Sequence, residues 1–141
     1  MIEDLLGEKI FKIMLVDDNL VVRQLMRKRL ERAGHTVDDF PDGRKAIEKI
    51  NSGEDYDTII LDLQMPNISG IEVLREIRKI KSINELPVII ISSIDARSSI
   101  IEALDLGANE YLTKPIDFPI AMAKLKTTLA IKFTDLSLIH I

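Results

Sequence analysis

Five residues stand out because each falls just after a short apolar run. Asp17 and Asp18 follow Leu15-Val16, Asp62 follows Ile59–Leu61, Ser92 follows Ile89–Ile91, and Lys114 follows Glu110–Thr113. Three carboxylates brought close together repel one another, and the arrangement is costly unless a cation compensates. The chain has no cysteine, and its only histidines are His35 and His140. An all-oxygen donor set of this kind favours Mg²⁺, which takes one or two carboxylates and keeps several waters. A carboxylate is also a nucleophile towards phosphorus, giving an acyl phosphate. Transfer of a phosphoryl group needs its oxygens neutralised, and the metal, the Lys114 ammonium and the Ser92 hydroxyl could supply that. Taken singly, each residue has an ordinary reading. An aspartate after a strand is often a helix cap or turn residue, a serine there likewise, and a lysine is usually solvated. The weight lies in the combination.

The combination needs a fold that brings strand ends together. Phe11–Val16, Thr58–Leu61 and Val88–Ile91 are apolar enough to be buried strands, with the β-branched run after Pro87 reading as central. Thr36–Phe40 is shorter than Phe11–Val16 and more polar, as at a sheet edge, and Glu110–Thr113 is a fifth short strand. Between them, apolar residues recur at helical spacing. They are Val22, Leu25, Met26, Leu30 and Ala33, with Gly34 as a stop; Ala46, Ile47 and Ile50 after Asp42-Gly43; Ile71, Leu74, Ile77 and Ile80 after Gly70; Ile100, Ile101 and Leu104 before Gly107; and Met122, Leu125 and Leu129 after Pro119. Five strand–helix repeats imply an α/β fold, a three-layer, doubly wound, flavodoxin-like parallel sheet of five strands in the order 2-1-3-4-5. Ligands of such sheets bind at the carboxyl ends of the strands, where the strand order reverses. Here that point lies between strands 1 and 3, flanked by the three aspartates. The Val22–Ala33 stripe reads as core, Tyr111 as a half-buried strand aromatic, His35 as a surface strand residue, and the basic cluster Arg27–Arg32 as a solvated helix face.

Composition narrows the function. A chain of 141 residues fits one domain. Its 46% hydrophobic and 30% charged residues exclude a disordered or fibrous chain. The net charge of −4 argues against a nucleic-acid-binding face and a polybasic membrane anchor. No charged segment followed by an apolar run opens the chain, and the apolar stretches are of strand length, so a cytoplasmic location is expected.

The Asp17-Asp18 pair, Leu61-Asp62-Leu63-Gln64-Met65-Pro66 with Gly70, Pro87–Ser92, and Tyr111-Leu112-Thr113-Lys114-Pro115 together resemble the receiver domain of two-component response regulators, CheY-like in fold. Each motif alone is weak; five in register are specific. The resemblance spans residues 10–132, leaving 1–9 as an N-terminal extension and 133–141 as an apolar tail without an assigned role. It implies that Asp62 accepts a phosphoryl group from a sensor histidine kinase or phosphotransfer protein. Asp18 and Asp62 would ligate Mg²⁺ with the backbone carbonyl of Gln64, and Asp17 would act through bound water. Ser92 would move to bond the phosphoryl group, Tyr111 would follow it inward, Lys114 would pair with the phosphoryl oxygens, and the Lys114–Pro115 peptide would be cis. Gln64 and Ile94 occupy the two positions that tune dephosphorylation in the family. An apolar Ile94 cannot orient an attacking water, which implies a long-lived phosphoryl group. Ser93 and Ile116 depart slightly from the family pattern, with consequences for packing only.

The expected protein is a phosphoacceptor switch rather than an enzyme acting on other substrates. Its readout is contact through the surface of the fourth helix, fifth strand and fifth helix, to a downstream target, an output domain, or a second copy in a homodimer. The chain either works alone or is the N-terminal receiver of a longer regulator, with the start at Met1 favouring that position. A Mg²⁺-dependent phosphohydrolase with an aspartate nucleophile would want a second acid at position 64, where Gln64 stands. A flavodoxin-like cofactor carrier would want a phosphate-cradling loop after strand 1, where Asp17-Asp18-Asn19 would repel phosphate. A degenerate receiver would not keep the complete acidic set.

Overall fold

Buried β-branched runs end where charged or small residues begin, and the strands follow them. The computed structural model describes residues 10–134. Its strands are β1 (Lys12–Val16), β2 (Thr36–Phe40), β3 (Thr58–Asp62), β4 (Val88–Ser93) and β5 (Glu110–Lys114). The helices are α1 (Leu20–Arg32), α2 (Gly43–Asn51), α3 (Gly70–Ile80), α4 (Arg97–Asp105) and α5 (Phe118–Thr134). All strand pairings are parallel, and the order is β2-β1-β3-β4-β5, as expected from the alternation of elements.

Side chains alternate across a strand, so each central strand feeds two cores. Met14, Val16, Ile59, Leu61, Val88 and Ile90 face α2, α3 and α4, through Ala46, Ile50, Val73, Leu74, Ile77 and Ala103. Ile13, Leu15, Ile60, Ile89 and Ile91 face α1 and α5, through Met26, Leu30, Ala121, Leu125 and Leu129. Burial on both faces explains why β3 and β4 lack alternation in sequence. Helix starts are fixed by side-chain caps: Asn19 Oδ1 accepts from Val22 N at 3.0 Å, Asp42 Oδ1 from Arg44 N at 2.8 Å, and Ser69 Oγ from Glu72 N at 3.3 Å.

Several expectations are corrected. β3, β4 and β5 run one or two residues further than the apolar runs suggest, so Asp62, Ser92, Ser93 and Lys114 are themselves strand residues. Leu25 is 48% exposed and Ala33 is exposed, so the stripe on α1 is narrower than its apolar content. The buried face is Arg23, Met26 and Leu30. His35 lies in the connection before β2, half-buried, where its Nδ1 accepts from Phe11 N at 3.3 Å and its ring meets Phe11. Of the basic cluster, Arg27 pairs with Asp39 and Glu31, and Arg29 lies over the Phe118 ring, so this face is only partly solvated. α5 continues through Phe133 and Thr134, and Phe133 meets Phe11 with ring centroids 5.2 Å apart. The extension 1–9 and the rest of the tail lie outside the described residues. Among the described residues no helix is long and apolar enough to cross a membrane.

Candidate functional site

Register brings the chemistry together. Asp62 ends β3 opposite Ile91, and Ser92 and Ser93 pair with Thr113 and Lys114 on the next strand. Asp17 and Asp18 follow β1, the other neighbour of β3. Oxygens of Asp17, Asp18 and Asp62 all lie within 4.8 Å of one another. Asp62 is fully buried, Asp17 is 1% exposed, and Asp18 opens to solvent. Gly70 makes the close approach of α3 possible: a Cβ there would stand 2.3 Å from the Asp62 carbonyl oxygen and 2.6 Å from Leu63 Cα.

The two buried carboxylates are unequally satisfied. Asp62 accepts from Lys114 Nζ at 3.1 Å on each oxygen, and from Gln64 N at 3.1 Å. Asp17 Oδ1 accepts from Asn19 N at 2.8 Å, while its buried Oδ2 has no partner. Burial raises the Asp62 carboxyl to about 6, and the nearby Asp17 charge adds to it, against the opposing pull of Lys114 and the Gln64 amide. Burial likewise raises Asp17, with Asp18 adding, while the Asn19 amide and Lys114 pull the other way. A divalent cation fits this set. The donors are oxygens alone, they converge, and a buried carboxylate oxygen points at no donor.

A second layer sets the geometry. Arg23 is 8% exposed; its Nη1 donates to the Asp17 carbonyl at 2.7 Å and its Nε to Asp39 Oδ2 at 2.8 Å. Sequence reasoning missed Arg23, although a basic residue in phase with Met26 and Leu30 on the core face of α1 was a readable signal. It named Gln64 as a tuning position but did not foresee that its side chain bridges to the end of β4. Gln64 Nε2 donates to Ser92 Oγ at 3.0 Å, and its Oε1 accepts from Ser93 N at 3.1 Å. Ser92 is fully buried but turned towards Gln64 rather than bonded to Asp62.

Tyr111 and Ile94 stand outside this cluster. Tyr111 is 38% exposed, not half-buried as expected, and Lys124 from α5 holds it: Nζ donates to the Tyr111 carbonyl at 2.6 Å, lies 4.4 Å from the ring centroid, and pairs with Glu110 at 3.2 Å. Ile94 is 72% exposed. The Lys114–Pro115 peptide is cis, as the resemblance implies.

Comparison with known proteins points the same way. The sequence model of the family described as response regulator receiver domain matches residues 13–126. Response regulator MprA of Mycolicibacterium vanbaalenii is 33% identical over 140 residues, a stretch that covers 90% of this chain and 59% of the relative. The chain thus spans about three-fifths of the length of that curated relative. The receiver domain of the Francisella response regulator 1452 superposes with a TM-score of 0.75 at 33% identity, covering 84% of this chain and 96% of that one. The BeF3-activated receiver domain of DrrB superposes with a TM-score of 0.75 at 27% identity, covering 86% and 98%.

Proposed function

The chain belongs to the response regulator receiver domain family of two-component systems, and from that premise we propose that it is a phosphorylation-activated switch with Asp62 as the phosphoacceptor. The observation that carries this reading is the buried Asp62 carboxylate, bracketed on both oxygens by Lys114 Nζ beside an unpartnered Asp17 Oδ2. A phosphohistidine on a sensor kinase or phosphotransfer protein is the proposed donor. An Asp62 oxygen attacks phosphorus as the phosphorus–nitrogen bond breaks; the electron pair stays on the imidazole, which takes up a proton. Asp62 must be ionised to attack; burial raises its pKa, and a neighbouring positive charge favours the ionised form. Mg²⁺ held by Asp18, Asp62 and the Gln64 carbonyl, with Asp17 acting through water, would supply that charge and neutralise the phosphoryl oxygens. Lys114 shifts from the carboxylate to the phosphoryl group, and Ser92 turns inward to donate to it.

Phosphorylation brings about −1.5 to −2 charges and three acceptor oxygens to the ends of β3 and β4. Recruiting Ser92 moves the segment leading into α4 and frees room for Tyr111. This biases a two-state equilibrium on the α4–β5–α5 face, where Ile94, Ile101, Leu104 and Tyr111 are exposed. A target protein, an output domain or a second copy reads that face; these and the residue 10–132 domain limits are part of the proposal.

Incubation with a small phosphodonor and Mg²⁺ should add one phosphoryl mass to the wild type and none to Asp62→Asn, read by intact-protein mass spectrometry. The exposed Ile94 positions no water, so the added mass should persist, and Ile94→Glu should shorten its lifetime by roughly tenfold, the lower range for a general base. A mass gain in Asp62→Asn refutes the acceptor assignment. An unchanged lifetime in Ile94→Glu refutes the hydrolysis argument.

A further inference from the structure

The parallel ladder between β3 and β4 ends in an unusual way. Leu63 N donates to Ile91 O at 2.9 Å, so the Ile91 edge of β4 faces β3. Ser93, two residues on, presents its N–H to the same side. The next acceptor of the ladder would be the Leu63 carbonyl, but Gly70 N donates to it at 3.1 Å, as the chain turns into α3. The Gln64 carboxamide fills the gap. Its Oε1 takes the Ser93 N–H and its Nε2 takes a lone pair of Ser92 Oγ, so one side chain occupies two consecutive residues at the end of β4. Gln64 is itself exposed, and its backbone N–H is tied to Asp62 Oδ1.

Resting on Asp62 as the phosphoacceptor, we propose that the Gln64 side chain is a positioning latch that holds Ser92 and Ser93 in the unphosphorylated arrangement and must let go when phosphoryl oxygens arrive. The competition is arithmetic. An amide N–H has one proton to give, and the Ser93 proton is already given to Gln64. Ser92 Oγ keeps a proton for a new acceptor, but it is held by the hydrogen bond from Gln64 and makes none to Asp62. A phosphoryl group on Asp62 presents three acceptor oxygens beside these two donors. Whatever the two Gln64 hydrogen bonds contribute to the resting arrangement is subtracted from the affinity of that group for its donors. Position 64 therefore acts on how readily the switch is thrown, separately from how fast the phosphoryl group is hydrolysed.

The test uses Mg²⁺ with beryllofluoride, a phosphoryl mimic that forms no hydrolysable ester, so the lifetime of an acyl phosphate does not enter. Gln64→Met keeps the bulk of the side chain and removes both hydrogen bonds. Calorimetry should give about tenfold tighter beryllofluoride binding to Gln64→Met, within what two ordinary hydrogen bonds bias. Gln64→Ala should shift in the same direction. In the metal-free proteins, amide exchange at Ser93 by NMR should be slow in the wild type and at least roughly tenfold faster in both variants, as for an N–H losing its partner. Damage to the site would weaken binding, opposite to the expected sign. Unchanged or weaker binding in the variants, or Ser93 exchange equal to wild type, overturns the latch. Asp62→Asn is the separate control: if it binds beryllofluoride as the wild type does, the acceptor reading falls and the latch with it.

Discussion

At the amino ends of the strands, the Asp57 carboxylate accepts from Lys12 N at 2.8 Å and from Lys132 Nζ at 3.3 Å, and Glu54 pairs with Lys12 and Lys49. Tyr56 OH donates to Asp38 Oδ2 at 2.7 Å. At the carboxyl ends, Asp17 and Asp62 are more deeply buried yet share a single lysine, and one oxygen has no partner at all. The electrostatic consequence is opposite. Glu54 is held below its ordinary range, chiefly by the hydrogen bond from Lys12, whereas Asp62 is pushed up to about 6, chiefly by burial. One end uses its charges to hold the fold. The other leaves them poorly compensated, and an arrangement that strains the resting protein is one that a cation or a phosphoryl group relieves.

The largest difference between the ends concerns backbone approach. Gly70 sits against the Asp62 and Leu63 backbone, which cannot move without displacing the acceptor, while a Cβ added at Gly53, where φ is +87°, would meet nothing within 4 Å. Gly70→Ala should cost at least about 3 kcal/mol, the upper end for overpacking. Gly53→Ala should cost only about 1 kcal/mol, that of a left-handed alanine. Urea midpoints compare the two; equal losses would mean that α3 yields easily and that the site end is no more constrained than the other.

Next comes the sign of one substitution made at both ends. The folded pKa of Asp62 lies above the unfolded carboxylate value near 4. The fold therefore holds a proton there more tightly than the unfolded chain does, and the stability this contributes is present below about pH 4 and lost as pH rises through about 6. At pH 7, without metal, Asp62→Asn should stabilise the protein by about 1–2 kcal/mol. Asp57→Asn turns an amide group towards a donor and should destabilise by about 1 kcal/mol. Mg²⁺ should stabilise the wild type and leave Asp62→Asn nearly unmoved. Denaturation in the presence of a chelator, and again with Mg²⁺ added, reads all three, and the same sign at both ends would dissolve the contrast.

These contrasts locate what the sequence made legible. Five strand segments with intervening helical spacing dictate the sheet, because both faces of a central parallel strand must be buried and no other arrangement covers runs such as Val88–Ile91. The acidic cluster was readable for the same reason: a charge at the end of a buried run has only the strand end to occupy. Arg23 was hidden because its guanidinium is buried through a backbone carbonyl and an aspartate of another strand, and neither partner leaves a mark at a fixed sequence distance. The Gln64 bridge was hidden likewise. It depends on Leu63 O being taken by Gly70, a three-dimensional coincidence of a turn and a ladder. His35 was misread because a histidine beside a strand looks like a strand residue until the connection places its ring on Phe11.

His35 supplies the smallest and most discriminating contrast. Burial lowers its pKa, against a weaker upward pull from Asp57. The folded pKa is therefore below the unfolded value of about 6.5, so the stability contributed by neutral His35 is present above that value and lost as pH falls through the folded one. The chemistry agrees: the Nδ1 lone pair that accepts from Phe11 N is unavailable once protonated. The slope is opposite to that from Asp62, whose contribution falls as pH rises between about 4 and 6. His35→Asn, which does not titrate, should be less stable than wild type by about 0.5 kcal/mol at pH 7.5, the low end for one hydrogen bond. The gap should close by about pH 5, below the unfolded value. A gap that stays constant with pH would show that the Phe11 contact, not the charge state, sets the contribution of His35. A gap that widens on acidification would mean that Asp57 outweighs burial, and that the amino end, too, keeps a carboxylate whose charge is only partly compensated.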